Sequence, residues 1–541
     1  MKTRVGLLLG FCFLVVVCFS CQDRVAKTQQ QPRVNIIWLV AEDQSPNFFP
    51  MYGDSTISLP NLESLAKDGV VYSNAYAPVP VCAPTRSAII TGMYPTTLGT
   101  HNMRTYKANR SDNQPEIGIP SYSPIVPDGT VMFTQLLREN GYYCTNNHKE
   151  DYNFKKLESA WDESSRTAHW RNRTAEKPFF SVFNFTICHE SGIWKQADST
   201  LYVSTDDVPV PPYFPDDSIV RHDLAVNYSN LKRMDDQVGK IIEQLKADGL
   251  YEQSIIFFYG DHGGPFPRHK RALYETGTRV PMIIKFQNNE KDNDYDDRFL
   301  SFIDLAPTLL SLAGIAPPKV MQGKALYGKY GDTKQRDYIF TTSDRFDGVI
   351  DRIRAVRSKR YKYIRNFNIE QANALPIKYR DHMPMMQRMD QRYKEGKLDS
   401  VQSLWYNSPK PREELYDLEK DPYELVNLAT VKELNDTLVH LRTVLSDWIM
   451  ETNDLGRIPE QELLNNWLVD GEQPKLAPLE LTERNNEVIL VSKKSDAVIL
   501  WKRPGEIAWN TYKAPILNSE KFIAKVVRIG FRDSPLLEYN M

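Results

Sequence analysis

Four short apolar runs in this chain each lead into residues that carry chemistry, and this repetition restricts the fold more than any other feature. Val-Asn-Ile-Ile-Trp-Leu-Val, residues 34–40, runs into Glu42 and Asp43; Gly-Tyr-Tyr-Cys-Thr, 141–145, leads to Lys149. The run 179–188 ends at His189, and 254–259 ends at Asp261 and His262. Apolar runs without polar alternation read as strands buried on both faces. Between them lie segments with helical periodicity, at 62–67, 132–140 and 231–246. Strands alternating with helices predict an α/β domain built on a mostly parallel sheet. In such a sheet the carboxyl ends of the strands share one edge, where ligands bind. Two acid clusters, a lysine and a histidine are thereby expected at one place.

At 541 residues the chain is longer than one compact core normally uses, which predicts two or more domains. The division expected is a catalytic α/β domain at 34–325, a smaller α+β subdomain at 326–455 and a terminal module at 456–541. A linker containing Gly and Pro, 317–334, marks the first boundary. The subdomain is expected to hold a hairpin across 355–364 and an amphipathic helix at 434–452. In the tail, runs at 488–491, 498–501 and 522–529 predict a small β-sandwich, resembling the C-terminal module of some hexosaminidases. The net charge of −2 provides no overall field for nucleic acid or a membrane surface, and no nucleic-acid motif is present. An anion site has to be local.

Residues 1–20 form a targeting segment, in which Lys2 and Arg4 precede an apolar run at 5–19 that is short for a bilayer span. The run ends Phe-Ser-Cys21-Gln, similar to a lipoprotein cleavage site with Cys21 as the acylated residue, and 21–33 then forms a polar tether. The expectation is export to the periplasm or outer cell surface, with membrane contact only through a lipid on Cys21; plain secretion is the alternative. Of six cysteines, Cys12 and Cys18 would leave with the signal. Cys144 and Cys188 either pair or remain buried thiols, the second being preferred, and no disulfide framework is implied.

Residues 78–104 surround Cys82-Ala-Pro-Thr-Arg86. Pro84 suits the first turn of a helix, 87–90 continue it and Gly92 stops it. Cys82 is therefore expected at a helix N-terminus, where aligned peptide dipoles and free N–H groups favour negative charge, with Arg86 one turn on. It is a candidate nucleophile for an anionic substrate. Glu42, Asp43, Asp261 and His262 read as a site for a hard cation, Ca2+ or Mg2+, because neighbouring carboxylates ionise together at high cost unless a cation lies between them. Either pair alone is more often a turn or strand-end cap; their position beside the Cys82 stretch is what favours the cation.

Cys82-Ala-Pro-Thr-Arg86 followed by Ser-Ala-Ile-Ile-Thr-Gly92 resembles the signature of type I sulfatases. The resemblance implies that Cys82 is oxidised after translation to formylglycine, by a formylglycine-generating or sulfatase-maturating enzyme. It implies one Ca2+ held by Glu42, Asp43, Asp261, His262 and the oxygen of modified Cys82; many members carry Asp in place of Glu42 and Asn in place of His262. Lys149, and Lys270 four residues before Tyr274-Glu275, occupy positions that contact sulfate oxygens in the family. His189 matches the general acid that protonates the leaving oxygen. The usual Lys-x-His is here Lys149-Glu150-Asp151, and the displaced histidine's task falls to Asp151, His148 or His101, among which the residues do not decide. Motifs at 146–153, 260–271 and 352–365 are most similar to the branch containing N-sulfoglucosamine sulfohydrolases and bacterial polysaccharide sulfatases.

His101, Arg104, Asp344 and Arg345 are candidate substrate contacts, and two arginines together can bind a uronate carboxylate bidentately. The function expected is hydrolysis of sulfate esters on an ulvan-type or glycosaminoglycan polysaccharide. Alternatives are N-sulfate cleavage on heparan-type chains, hydrolysis of phosphate or phosphonate esters on the same fold, and a catalytically dead glycan-binding lipoprotein. Phosphatases of this architecture usually present Ser or Thr where Cys82 stands. The intact set Cys82, Arg86, Lys149, His189 and Lys270 argues against a dead site.

Overall fold

The computed structural model describes residues 33–106, 117–174, 176–290 and 294–540. The signal segment, Cys21 and the tether up to residue 32 lie outside the described residues. Among the described residues no helix is long and apolar enough to cross a membrane.

Eight strands make the central sheet: β1 (Asn35–Ala41), β2 (Val70–Tyr72), β3 (Tyr143–Asn147), β4 (Glu163–Ser164), β5 (Phe179–Phe185), β6 (Ser254–Gly260), β7 (Met282–Lys285) and β8 (Tyr295–Asp296). Their spatial order is β8-β2-β7-β6-β1-β5-β3-β4. The consecutive strands β6, β1, β5, β3 and the edge strand β4 are mutually parallel, and β7 turns antiparallel against β6 and β2. The four apolar runs are β1, β3, β5 and β6.

Along β1, side chains alternate between two separate cores. Ile37, Leu39 and Ala41 join one, while Ile36, Trp38 and Val40 join the other. A strand that is apolar on both faces can sit only at the centre of a layered α/β structure. Cys188 belongs to the first core and Cys144 to the second, so the sheet lies between them and both are buried free thiols. One face is covered by the 30-residue helix Ser218–Ala247, which turns Val220, Leu224, Leu231, Val238, Ile242 and Leu245 inward at helical spacing. Asp217 caps it, its carboxylate accepting from the N–H groups of Ile219 at 3.1 Å and Val220 at 3.2 Å.

The second sheet is four-stranded and antiparallel: Ile339–Ser343, the expected hairpin Ile353–Arg357 with Tyr361–Asn366, and Glu413–Asp417. The helix Asn435–Glu451 packs Leu438, Leu441, Leu445 and Trp448 against Val356, Tyr363 and Leu415 of this sheet. The tail forms a three-stranded and a four-stranded sheet that share one small core containing Val488, Leu490, Ile516, Phe522, Ala524 and Val526. It docks on the rest of the protein through Arg528 to Asp128 at 2.8 Å and Lys525 to Glu158 at 2.7 Å. The segment leading to it lays Trp467 so close to Gly99 that a Cβ there would stand 2.5 Å from the indole. Only glycine fits under that ring.

Candidate active site

The strand register places the chemistry. Ala41 of β1 pairs with Phe185 of β5 and with Gly260 of β6, so the residues that follow, Glu42-Asp43 and Asp261-His262, leave the sheet at one level of its carboxyl edge. Asp43 turns the chain in the left-handed region, with φ 53°, which Asp tolerates better than most residues. Its N–H then donates to Asp261 Oδ1 at 3.1 Å. Two strand ends are thus joined by a carboxylate.

Cys82 opens the helix Cys82–Thr91, whose ten residues are all buried and which ends on Gly92 with φ 68°. Its Sγ lies 3.2 Å from His262 Nε2 and 3.9 Å from Asp43 Oδ1. Arg86, one turn along, donates to Asp261 Oδ2 through Nε at 3.3 Å and Nη2 at 3.0 Å, and to Asn184 through Nη1 at 2.8 Å. Lys149 Nζ stands 2.9 Å from Glu42 Oε1. Lys270 Nζ bridges Asp43 Oδ2 at 2.7 Å, Glu190 at 3.1 Å and His189 Nε2 at 3.3 Å. His189 Nδ1 meets Ser191 Oγ at 2.9 Å. Cys82, Arg86, Lys149, His189 and Lys270 are therefore within one constellation with all four candidate ligands.

The electrostatics follow from burial beside charge. Burial opposes the ionised form of Asp43, yet Lys270, His189 and His262 hold its carboxyl well below the usual range. Asp261 is likewise brought to about 2, by His262 and Arg86 against burial. Burial works against a charged His262, but Asp261, Cys82 and Asp43 push it up to about 10. His189 moves the other way, since burial and then the Lys270 charge pull it down to about 3. Glu42 differs from the other acids: burial raises its pKa, with Lys149 and Arg86 opposing.

Asp43, Cys82, Asp261 and His262 offer one ligand atom each within 4.8 Å of one another, all buried. Glu42 stands beside this group, its buried Oε1 2.9 Å from Lys149 Nζ and 3.8 Å from Arg86 Nη2. Two buried carboxylates and an imidazole with a third buried carboxylate beside them form a donor set whose hard oxygens fit Ca2+ or Mg2+. A second group, Asp43, His189 and Glu190, adjoins the first.

Arg104 adopts φ 55° and is partly exposed, 4.0 Å from Asp347, with Asp151 and Cys82 supporting its charge against burial. His101 is buried, its Nδ1 has no hydrogen-bond partner, and it faces the charges of Asp344 and Asp454. His148 is exposed and points to Arg166 at 3.5 Å, whereas the charge of Asp151 is felt by both Arg104 and Lys149. Asp344 and Arg345 sit differently from the direct sugar contact expected. Asp344 accepts two 3.0 Å bonds from Arg354, and Arg345 is held by Glu460 at 2.6 and 2.8 Å. Both are buried in ion pairs of the chain itself.

Sequence reasoning passed over Glu190, Arg271 and Asn184. Glu190 donates its N–H to Asp43 Oδ2 at 2.6 Å and accepts two 2.8 Å bonds from Arg271. Each missed residue adjoins a recognised one, Glu190 after His189 and Arg271 after Lys270, or interrupts an apolar run, as Asn184 does in β5. Those were the available signals.

The sulfatase family model matches residues 34–315, and the model described as N-sulphoglucosamine sulphohydrolase, C-terminal, matches 260–403. An ulvan-active sulfatase of Formosa agariphila is 40% identical, across 98% of this chain and 96% of that protein. The N-sulphoglucosamine sulphohydrolase of Homo sapiens is 25% identical, across 82% and 93%. Among solved structures, a 2-O GAG sulfatase superposes with a TM-score of 0.55 at 20% identity, covering 79% of this chain and 94% of that one. A complex with the substrate D-glucosamine-2-N,6-O-disulfate superposes with the same score at 16% identity, covering 80% and 100%. These likenesses establish the fold.

Proposed function

The chain belongs to the sulfatase family, and from that premise we propose that it is an exported enzyme that removes sulfate esters from a sulfated polysaccharide of the ulvan or glycosaminoglycan kind. The observation that carries this reading is the convergence of Cys82, Arg86, Lys149, His189 and Lys270 around a buried acidic cluster at one sheet edge.

Oxidised to formylglycine, Cys82 would supply a hydrated aldehyde as nucleophile and leaving base, and Ca2+ held by Glu42, Asp43, Asp261 and His262 would supply positive charge at that nucleophile. Arg86 fixes Asp261 by two bonds and keeps its other oxygen turned to the cluster. Lys149 and Lys270 are cations placed for the oxygens of a sulfuryl group, whose charge they balance. His189 is oriented by Ser191 with Nε2 toward Lys270. An arriving anionic sulfate offsets the Lys270 charge, the second cause after burial, and so raises the imidazole's affinity for a proton in the direction that protonating the leaving oxygen needs. Asp151, whose charge acts on both Arg104 and Lys149, is assigned the role that Lys-x-His fills elsewhere. Substrate contact is assigned to His101, whose buried Nδ1 has no hydrogen-bond partner, and to Arg104, whose guanidinium is partly exposed in a loose 4.0 Å pair with Asp347.

A second reading, cleavage of N-sulfate from glucosamine in heparan-type chains, is favoured by the match of 260–403 to the N-sulphoglucosamine sulphohydrolase C-terminal model. Sulfate release from ulvan oligosaccharides, N-sulfated and O-sulfated heparan disaccharides and a phosphonate monoester distinguishes these. Release from O-sulfated sugars that disappears in Cys82→Ala is expected. Turnover of the phosphonate alone, or full activity in Cys82→Ala, removes the proposal. Mass analysis of the Cys82 peptide reads the oxidation directly, since sulfur is replaced by oxygen and two hydrogens are lost. The lipid on Cys21 is read by the same method.

A further inference from the structure

A cavity of about 440 Å³ lies between the hairpin Ile353–Arg357/Tyr361–Asn366 and the C-terminal half of the helix Asn435–Glu451. Five arginines line it: Arg352, Arg354, Arg365, Arg442 and Arg457. Asp454 is the single carboxylate in its wall. Its volume is within the range of small-ligand sites.

Three carboxylates answer these five guanidinium groups. Arg354 is held by Asp344 at 3.0 Å and Asp454 at 2.6 Å; Glu413 accepts from Arg442 at 2.7 Å and lies 3.7 Å from Arg365. Arg352 and Arg457 have no carboxylate within ion-pair distance among the described residues, so five positive charges against three negative leave a surplus of two. Arg352 is fixed instead by the ring of Phe367, 4.0 Å from its guanidinium carbon. An aromatic face holds a cation in place without neutralising it and leaves its N–H fork available. Arg457 donates through Nε to the Asp454 backbone carbonyl at 3.1 Å, which sets its position on the rim and keeps its charge.

We propose that this cavity binds an anionic saccharide unit of a sulfated polysaccharide, apart from the Cys82 site. Its preformed, unneutralised forks suit sulfate and carboxylate groups, and its rim is open at Ser446 and Met450, where a longer chain can continue. The inference concerns binding and stands apart from the hydrolytic reading, although it shares with it the class of polymer.

The test measures binding of a heparin oligosaccharide to Cys82→Ala protein, so that catalysis plays no part. Arg352→Gln with Arg457→Gln is expected to weaken binding about tenfold or more, as loss of charge-assisted hydrogen bonds requires. Arg457→Gln alone, at an exposed position, gives a smaller loss in the same direction and serves if the double variant is unstable. In the catalytically intact enzyme the double variant should raise KM for the polymer and leave turnover of a sulfated disaccharide unchanged. Unchanged heparin affinity overturns the proposal. So does a parallel loss of disaccharide turnover, which assigns the arginines to the catalytic site, or displacement of heparin by equimolar inorganic sulfate, which makes the cavity a simple ion site. Heparin binding with no sulfate release from any substrate would instead refute the hydrolytic reading alone.

Discussion

Arg86 grips Asp261 by a single carboxylate oxygen, Nε at 3.3 Å and Nη2 at 3.0 Å both reaching Oδ2, while Oδ1 of the same carboxylate accepts from Asp43 N–H. The arginine therefore determines which way a candidate cation ligand faces. Lysine at this position carries the charge but has one ammonium in place of a fork and does not also reach Asn184. Arg86→Lys should lower kcat/KM by about tenfold to a hundredfold, the equivalent of one buried charged hydrogen bond. Steady-state sulfate release measures it. Wild-type kinetics would show that the fork is dispensable.

A divalent cation held among Asp43, Asp261, His262 and Glu42 would bind the folded state alone and so stabilise it by mass action. Chelation should lower the melting temperature, and Ca2+ at about a hundred times its dissociation constant should restore about 2.7 kcal/mol. Asp43→Asn removes a candidate ligand and one of the two carboxylate partners of Lys270 together, and should abolish the shift. Differential scanning fluorimetry with and without chelator reads both. A melting temperature indifferent to chelator in the wild type would exclude a cation at this edge.

Asp217 caps the longest helix and also accepts from Arg388 at 2.7 Å and Arg392 at 2.9 Å. Burial opposes ionisation, but the Arg388 hydrogen bond, the Val220 N–H and both arginine charges hold the carboxyl below its ordinary range. A group whose pKa falls on folding contributes above its unfolded value, near 3.9, and loses the contribution as pH drops through the folded value. Asp217→Ala should cost about 1–3 kcal/mol at pH 7, and the difference from wild type should narrow below about pH 4. Urea unfolding at pH 7, 5 and 3.5 tests the sign; a gap that widens in acid contradicts it.

Glu460 holds Arg345 in a buried pair and also accepts from Tyr122 at 2.8 Å, fastening the segment that leads to the tail onto the catalytic side. Removing one partner leaves a buried charge unmatched, at about 3–5 kcal/mol. Glu460→Gln should lower the urea midpoint by the corresponding amount. If Arg345 instead served substrate, the same variant would alter KM while stability held, and kinetics beside unfolding separate the two.

Much of this arrangement was legible in the sequence because strands buried on both faces announce themselves as unbroken apolar runs, and parallel register then brings their ends together. Val34 to Ala41 is the clearest case: its pattern fixes a central strand, and Glu42-Asp43 can only leave at the carboxyl edge. That Asp344 and Arg345, candidate substrate contacts, are held in buried ion pairs was not legible because their partners are distant in sequence, Glu460 lying 115 residues from Arg345 and Asp454 entering through Arg354. Charge pairing at such separation has no periodic trace. Glu190 was hidden for the same reason, since its value comes from Arg271 and Lys270, which only the fold brings near.

Cys82 has no accessible surface, and the helix it begins is buried along its whole length. Another enzyme that is to alter this thiol has to reach it while the polypeptide is still open. If Cys82 is so altered, closure of the sheet edge competes with chemistry on one side chain, and molecules that close first are sealed with an unaltered sulfur. The fraction of active protein in a preparation would then record which of two clocks ran faster, a property set during synthesis and beyond repair in the finished fold.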